Sequence, residues 1–297
     1  MAGGLAGVGI AVVGGDERQI MVAQALAKRA AWVKTYGLAN IPPDAALFPV
    51  ASLAEAIDGA GVTVFPIGGV SAEGIVGSNA GVEIRIGPEF FARLPASAVV
   101  AAGSLPRRLK EAAAAHGVKV LEYAERDEIA LPNAIPTAEG AIQLAMEHTP
   151  FTIDGSTCLV LGYGRVARAL VKRLLALGAR VIVAARNPRQ LEEAETAGAL
   201  GKALSMLEEE IRKADIVFNT IPAPVLTAGI LEKAPSRVLI IDLASAPWGT
   251  DFDAVARRGI KAFPAPGLPG KVAPYTAGKI LATHLPGLIE EACARPD

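Results

Sequence analysis

Residues 159–186, LVLGYGRVARALVKRLLALGARVIVAAR, run as a buried strand, a glycine turn, an amphipathic helix and a second strand that ends in arginine. Few folds accept that order at that spacing. The chain must reverse sharply at Gly162, and Gly164 leaves the backbone open to a pyrophosphate that any Cβ would meet. Ala167 takes the third, close-packing position, and Tyr163 and Val166 complete the turn. The helix that follows starts at about Arg165, so its unpaired N–H groups and the positive end of its dipole face the phosphates. Leu170, Leu174, Leu175 and Leu177 supply its apolar face. The segment predicts the first half of a dinucleotide-binding βαβ unit.

The end of the second strand bears on which dinucleotide is held, because an acidic residue there usually accepts the ribose 2′-hydroxyl of NAD. Here the sequence has Arg186, Asn187, Pro188 and Arg189. Two guanidinium groups and no carboxylate suit a 2′-phosphate, which predicts NADP. A second reading stays open at this point: Asn187 before Pro188 is also an ordinary helix start.

With 297 residues the chain has room for two domains, and its formal net charge of −1 offers no basic field for nucleic acid or a membrane surface. Hydrophobic residues reach 52%, yet no apolar run attains the roughly 18 residues of a spanning helix. The apolar N-terminal stretch has no basic leader and reads as a buried parallel strand rather than a signal peptide. Cys158 and Cys293 make neither a disulfide framework nor a metal-ligand spacing, so no metal and a cytoplasmic location are expected. His116, His148 and His284 stand where helices are expected to end.

Strands are predicted near 8–13, 32–36, 62–67, 98–102 and 118–122, with helices near 17–30 and 106–116. Further strands follow near 180–185, 215–219, 237–241 and 260–263. Such alternation predicts α/β architecture, with two doubly wound parallel sheets of which the second is a Rossmann domain. The expected boundaries are residues 1–135 for a substrate or partner domain, 136–150 for a connecting helix, 151–272 for the dinucleotide domain, and 273–297 for a helix returning to the first. No internal repeat is visible. Ligands of open sheets sit beyond the carboxyl ends of the strands. Attention therefore falls on GGDERQ after the first strand, the proline-bearing stretch at 133–139, the loop Asn219, Thr220, Ile221 and Pro222, then Asp242, Leu243, Ala244 and Ser245, and finally the loop from Pro266 through Gly267 and Leu268 to Lys271. Thr220 and Ser245 are expected to donate to a nicotinamide or ribose.

Taken together, GGDERQ, ERDEIALPNAIPTAEGAI, LVLGYGRVA, NTIP, IDLAS with GTDF, and APGLPGKVAP with TAGKI resemble the A-subunit family of bacterial dipicolinate synthases. The resemblance covers nearly the whole length. It departs from the family at Ala167, at Ala246-Pro247-Trp248-Gly249 and around Ser71. It implies oxidation of a dihydrodipicolinate-level intermediate, made from 4-hydroxy-tetrahydrodipicolinate of the lysine branch, with NADP as hydride acceptor. It also implies a flavoprotein-like B subunit of the same synthase as partner, a homo- or hetero-oligomer, and work in the mother-cell cytoplasm during sporulation.

A dicarboxylate substrate requires donors or cations, for which Arg18, Asn133, Thr137 and Lys271 are the candidates in an interdomain crevice. Asp16, Glu139 or Lys271 would move the proton. Each residue also has a plainer reading: Asp16 as a helix cap, Arg18 as a solvated first-turn residue, Thr137 and Glu139 as the opening of the connecting helix, Lys271 as a surface lysine. A shikimate-type dehydrogenase, a 2-hydroxyacid dehydrogenase (which would need a histidine after a strand of the cofactor sheet) and a non-catalytic NADP-binding regulatory subunit are the competing functions.

Overall fold

The computed structural model describes residues 4–43 and 46–294. The first three residues of the N-terminal apolar run lie outside them. The chain divides into two compact units, Met1–Pro132 with Ala273–Asp297, and Asn133–Val272.

The first unit opens with β1 (Gly9–Val13), α1 (Glu17–Ala27), β2 (Trp32–Tyr36), β3 (Leu47–Pro49), α2 (Leu53–Ile57) and β4 (Val62–Val64). A two-stranded antiparallel excursion follows, β5 (Ile75–Val76) with β6 (Ile84–Arg85), and then β7 (Val99–Ala102), α3 (Arg107–Ala115) and β8 (Lys119–Glu122). All five residues of β1 are buried, as a strand covered on both faces requires. The strands order as β3-β2-β1-β4-β7-β8, all parallel.

The helix α4 (Asp127–His148) leads into β9 (Thr157–Leu161), α5 (Arg165–Ala176), β10 (Arg180–Ala185), α6 (Pro188–Thr196) and β11 (Leu200–Ala203). Next come α7 (Leu207–Glu210), β12 (Ile216–Asn219), α8 (Ala228–Lys233), β13 (Leu239–Asp242), α9 (Phe252–Arg258), β14 (Lys261–Pro264) and α10 (Leu268–Val272). This sheet orders as β11-β10-β9-β12-β13-β14. It is parallel throughout, and apolar clusters cover both of its faces. The last helix, α11 (Pro274–Ala294), packs on α1 in the first unit. Gly278 permits the approach, for a Cβ there would stand 2.5 Å from the Met21 sulfur and 3.2 Å from the Arg18 Cα.

Several expectations need correction. The proline-bearing stretch at 133–139 is neither a loop nor the start of a helix, since α4 begins nine residues before 136 and runs through Pro132 and Pro136. Interior prolines cost a helix about 3 kcal/mol each. Burial of Ala134, Ala138, Ala141, Ile142 and Ala145 along one face offsets that loss. The Thr137 hydroxyl donates to the Asn133 carbonyl at 2.8 Å, inside the same segment. His284 does not end a helix either, because α11 continues through Pro286 while Leu285, Leu288 and Ile289 bury on the core. The edge strand β3, the β5–β6 pair and β11 (LGKA, with no buried residue) lack the continuous apolar run by which the central strands were read. Residues 268–272, expected as loop, form α10. Finally, the two sheets share one strand order although no sequence repeat announces it.

Candidate functional site

In each sheet the strand order reverses between the first and fourth strands, and a crevice at that point is where doubly wound sheets hold ligands. The two crevices share a topology but differ in chemistry.

In the second unit the reversal lies between β9 and β12. Gly162 has φ +86°, and a Cβ there would come 2.8 Å from the Thr220 Oγ1 and 3.0 Å from the Ile221 Cγ1. It is glycine for the sake of the turn. Gly164 differs: its φ of −84° suits any residue, and a Cβ would meet nothing within 4 Å. The protein therefore leaves space above the first turn of α5, whose N-cap glycine provides no side chain to satisfy the end N–H groups. A helix end without a side-chain cap, beside open space, forms an anion cradle, so the residues present fit a dinucleotide diphosphate. Ala167 is fully buried, while Arg168 of α5 lies over the Tyr163 ring at 5.0 Å and pairs with Glu193 of α6.

A buried carboxylate holds the opposite wall. Asp242, the last residue of β13, has no exposed surface. Its Oδ1 accepts from Asn219 Nδ2 and the Ala244 N–H, both at 3.0 Å, and its Oδ2 from the Gly249 N–H at 3.0 Å and the Thr250 hydroxyl at 2.6 Å. Asn219 in turn takes the Ile221 N–H at 3.0 Å and donates to the Ile221 carbonyl at 3.1 Å. One network thus ties the NTIP loop to the IDLAS loop. The sequence had flagged both loops, with Asn219 and Asp242 at their starts, without giving a role to either or to Thr250; a polar residue closing each of two apolar strands was the available signal. Thr220 is corrected as an expected donor, because its hydroxyl proton goes to the Leu161 carbonyl at 2.7 Å. The Ser245 side chain is exposed, Leu243 is half-buried, and Gly267 and Leu268 stand at the start of α10.

At the end of β10, Arg186, Asn187 and Arg189 are all exposed. Asn187 caps α6, its side chain accepting the Arg189 N–H at 3.0 Å, with Pro188 at the first helical position. The capping reading of Asn187 therefore holds, and it leaves both guanidinium groups in solvent.

In the first unit the reversal lies between β1 and β4, and a cavity of about 530 Å³ opens there, lined among others by Gly15, Asp16, Arg18, Pro66, Ser71 and Asn79. Here the helix end is closed. Asp16 caps α1 by accepting the Arg18 N–H at 3.0 Å, and the same carboxylate receives the Arg18 Nε at 2.9 Å and Nη2 at 2.7 Å. Burial by itself pushes the Asp16 carboxyl up, but the hydrogen bonds and charge of Arg18 outweigh it and hold the group below the usual aspartate value. Asp16 is thus a cap and a clamp on Arg18, and a weak proton acceptor. Beneath the cavity, the buried Tyr123 hydroxyl donates to the Phe65 carbonyl at 2.7 Å, and burial drives its phenol far above the ordinary range.

The other expected site residues are scattered. Glu139 is exposed on α4 and pairs with Arg173 at 3.3 Å, so it does not open a helix and its carboxylate is engaged. Asn133 and Thr137 lie inside α4, and the Thr137 hydroxyl proton is already used. Lys271 is exposed on α10. His148 ends α4 and stacks on Phe263 at 4.2 Å. Cys158 is buried in β9, and burial pushes its thiol up to about 11, which leaves it inert. No helix among the described residues is long and apolar enough to cross a membrane.

Comparison with known proteins agrees with this division. Residues 9–124 match the family model of the N-terminal domain of the dipicolinate synthase A subunit. Residues 137–244 match that of the D-isomer specific 2-hydroxyacid dehydrogenase NAD binding domain. The chain is 37% identical over 292 residues to the dipicolinate synthase A subunit of Bacillus subtilis, covering 97% of each. The crystal structure of the dipicolinate synthase A subunit from Bacillus halodurans superposes with a TM-score of 0.90 at 35% identity, covering 98% of this chain and 99% of that one. The corresponding crystal structure from Bacillus subtilis gives 0.88 at 36% identity, covering 97% of both.

Proposed function

The chain belongs to the dipicolinate synthase A-subunit family, and from that membership we propose that it oxidises a dihydrodipicolinate-level ring to the aromatic pyridine dicarboxylate, with NADP as hydride acceptor. That it carries a nicotinamide-dinucleotide-binding dehydrogenase domain follows from the match over residues 137–244. The finer choice of NADP rests on one observation: Arg186 and Arg189 stand exposed after β10 with no carboxylate between them. Planar guanidinium forks suit the oxygens of a 2′-phosphate.

When bound, the nicotinamide accepts the hydride that leaves the ring, and one proton departs as the ring becomes aromatic. The chain's own share is to bind and to orient. Gly164 and the first turn of α5 would receive the diphosphate, with Tyr163, Arg165 and Val166 around it. Ile221, Pro222, Leu243, Ala244, Ser245, Gly267 and Leu268 would line the remaining wall. Arg18 is the proposed carboxylate cation of the first unit and Lys271 that of the second, each open to test by itself. Asp16 is held by Arg18 and Glu139 by Arg173. Lys271, exposed on α10, is therefore the group carried forward for the proton, a role it fills only as the neutral amine and not while it serves as the carboxylate cation. The same family reading supports the flavoprotein-like B subunit as partner and sporulation as the setting.

The test compares NADP and NAD dissociation constants for the parent chain and for Arg186→Ala with Arg189→Ala. A preference for NADP that falls at least about tenfold in the double variant, about 1.4 kcal/mol, is expected. Equal or tighter NAD binding by the parent chain removes NADP from the proposal. Turnover is followed by pyridine absorbance after mixing the chain, NADP and the condensation product of pyruvate with aspartate semialdehyde, with and without the B subunit. Absence of product in every mixture removes the dehydrogenase reaction.

A further inference from the structure

The crevice of the first unit is built for something other than a nucleotide. Its helix end is capped by the Asp16 carboxylate, which takes up a backbone donor that a diphosphate would use, whereas the equivalent end in the second unit has no side-chain cap. What it presents instead is a guanidinium fixed in place. Arg18 spends its Nε and one Nη2 hydrogen on Asp16, and its side chain retains 15% of its surface exposed. The Nη1 group and the second Nη2 hydrogen remain for a ligand.

The facing wall comes from residues 71–79, and it is attached directly to the end of β1. The Gly15 N–H donates to the Gly77 carbonyl at 2.7 Å, and the Asn79 N–H returns to the Gly15 carbonyl at 2.9 Å. Gly14, with φ +68°, must be glycine for this closure, since a Cβ would lie 2.6 Å from the Gly77 oxygen. The Ser78 hydroxyl donates to the Gly37 carbonyl at 2.8 Å. This wall is consequently set before any ligand arrives.

Asn79, an exposed residue at the lining of the cavity, is held by this framework. Its Oδ1 accepts the Ala39 N–H at 2.9 Å. Because that partner is a donor, the oxygen and nitrogen of the amide are distinguished, and Nδ2 carries two hydrogens without an acceptor among the described residues. Pro66 and Ile75 add apolar lining. The cavity therefore combines a guanidinium held by Asp16, an amide whose Nδ2 hydrogens are unspent and apolar contacts, which together suit a flat ring acid.

Resting on the dehydrogenase reading, the geometry points to this crevice as the ring-dicarboxylate site, with Arg18 and Asn79 each donating to a carboxylate of the ligand. Asn79 acts by positioning and selecting the ligand and takes no part in proton movement. The Asp16–Arg18 pair is close to neutral as a unit, so recognition depends on directed hydrogen bonds more than on net charge.

The experiment titrates the full chain with pyridine-2,6-dicarboxylate by calorimetry, with and without saturating NADP, and compares the parent with Asn79→Ala, Asn79→Asp and Arg18→Lys. Asn79→Asp keeps the acceptor for the Ala39 N–H and the shape of the side chain while replacing the donors with negative charge. Its ligand dissociation constant is expected to rise more than that of Asn79→Ala, which itself rises about tenfold or more. Arg18→Lys, which loses the fork, is expected to weaken binding at least as much as Asn79→Ala. NADP affinity stays at the parent value in all three. Parent-like dicarboxylate binding by both Asn79 variants overturns the site, as does absence of binding by the parent chain under both conditions. Product formation with parent-like Asn79 variants sinks this site and leaves the reaction standing. Asn79-dependent binding without product does the reverse.

Discussion

Gly162 and Gly164 stand on either side of one tyrosine, and each is glycine for a different reason. Gly162 is needed by the fold, since its φ is +86° and Thr220 and Ile221 crowd the Cβ position. Gly164 is not required by the fold, because nothing lies within 4 Å of its Cβ position and its backbone is extended; in the proposed function that space takes the diphosphate. Gly164→Val should therefore fold with a loss of no more than about 1 kcal/mol, the usual difference between glycine and an apolar N-cap. Its NADP dissociation constant should rise about 100-fold or more, a change of about 2.8 kcal/mol. Thermal unfolding and cofactor titration of the same preparation check the pair of outcomes, and unchanged cofactor affinity would be the contrary result. The turn at Gly162 was legible in the sequence because a tight turn restricts residue type locally, and the expectation for Gly164 rests on the same glycine pattern. Asp16 was legible only as a possible cap. That its carboxylate also clamps the guanidinium two residues on depends on the rotamer of Arg18, which local sequence does not specify.

At the scale of elements, the ends of β12 and β13 carry a polar network where the rest of each strand is apolar. A buried carboxylate with four donors is tolerable only while all of them remain, since each lost charge-assisted bond costs about 1.5–3 kcal/mol. Thr250→Val removes the shortest of the four, the 2.6 Å bond to Asp242, with little change in volume. Urea unfolding should reveal a loss in that range, together with weaker cofactor binding because the NTIP and IDLAS loops share the network. Stability within about 0.5 kcal/mol of the parent, the usual effect of a surface substitution, would contradict the assignment. The long helix α4 teaches the opposite lesson. Pro132 and Pro136 read locally as breaks, yet helix continues through both, because a row of buried alanines can be packed only if it does.

For the whole molecule, each unit has its own apolar clusters among the described residues. Ligands that belong to different units should accordingly protect different amides. NADP at about 100 times its dissociation constant adds about 2.7 kcal/mol to the state that binds it. Hydrogen exchange should slow around residues 162–168 and 219–222, and leave β1 and β4 at their former rates. Protection of β1 and β4 by NADP alone would contradict the division of labour. Strand alternation, the glycine turn and the arginines after β10 were open to reading from residue order, since backbone sterics, periodicity and charge are local properties. The shared strand order of the two sheets, the clamp on Arg18, the amide of Asn79 and the caged Asp242 were decided in three dimensions, because each depends on groups meeting at a distance and in an orientation that no spacing along the chain prescribes.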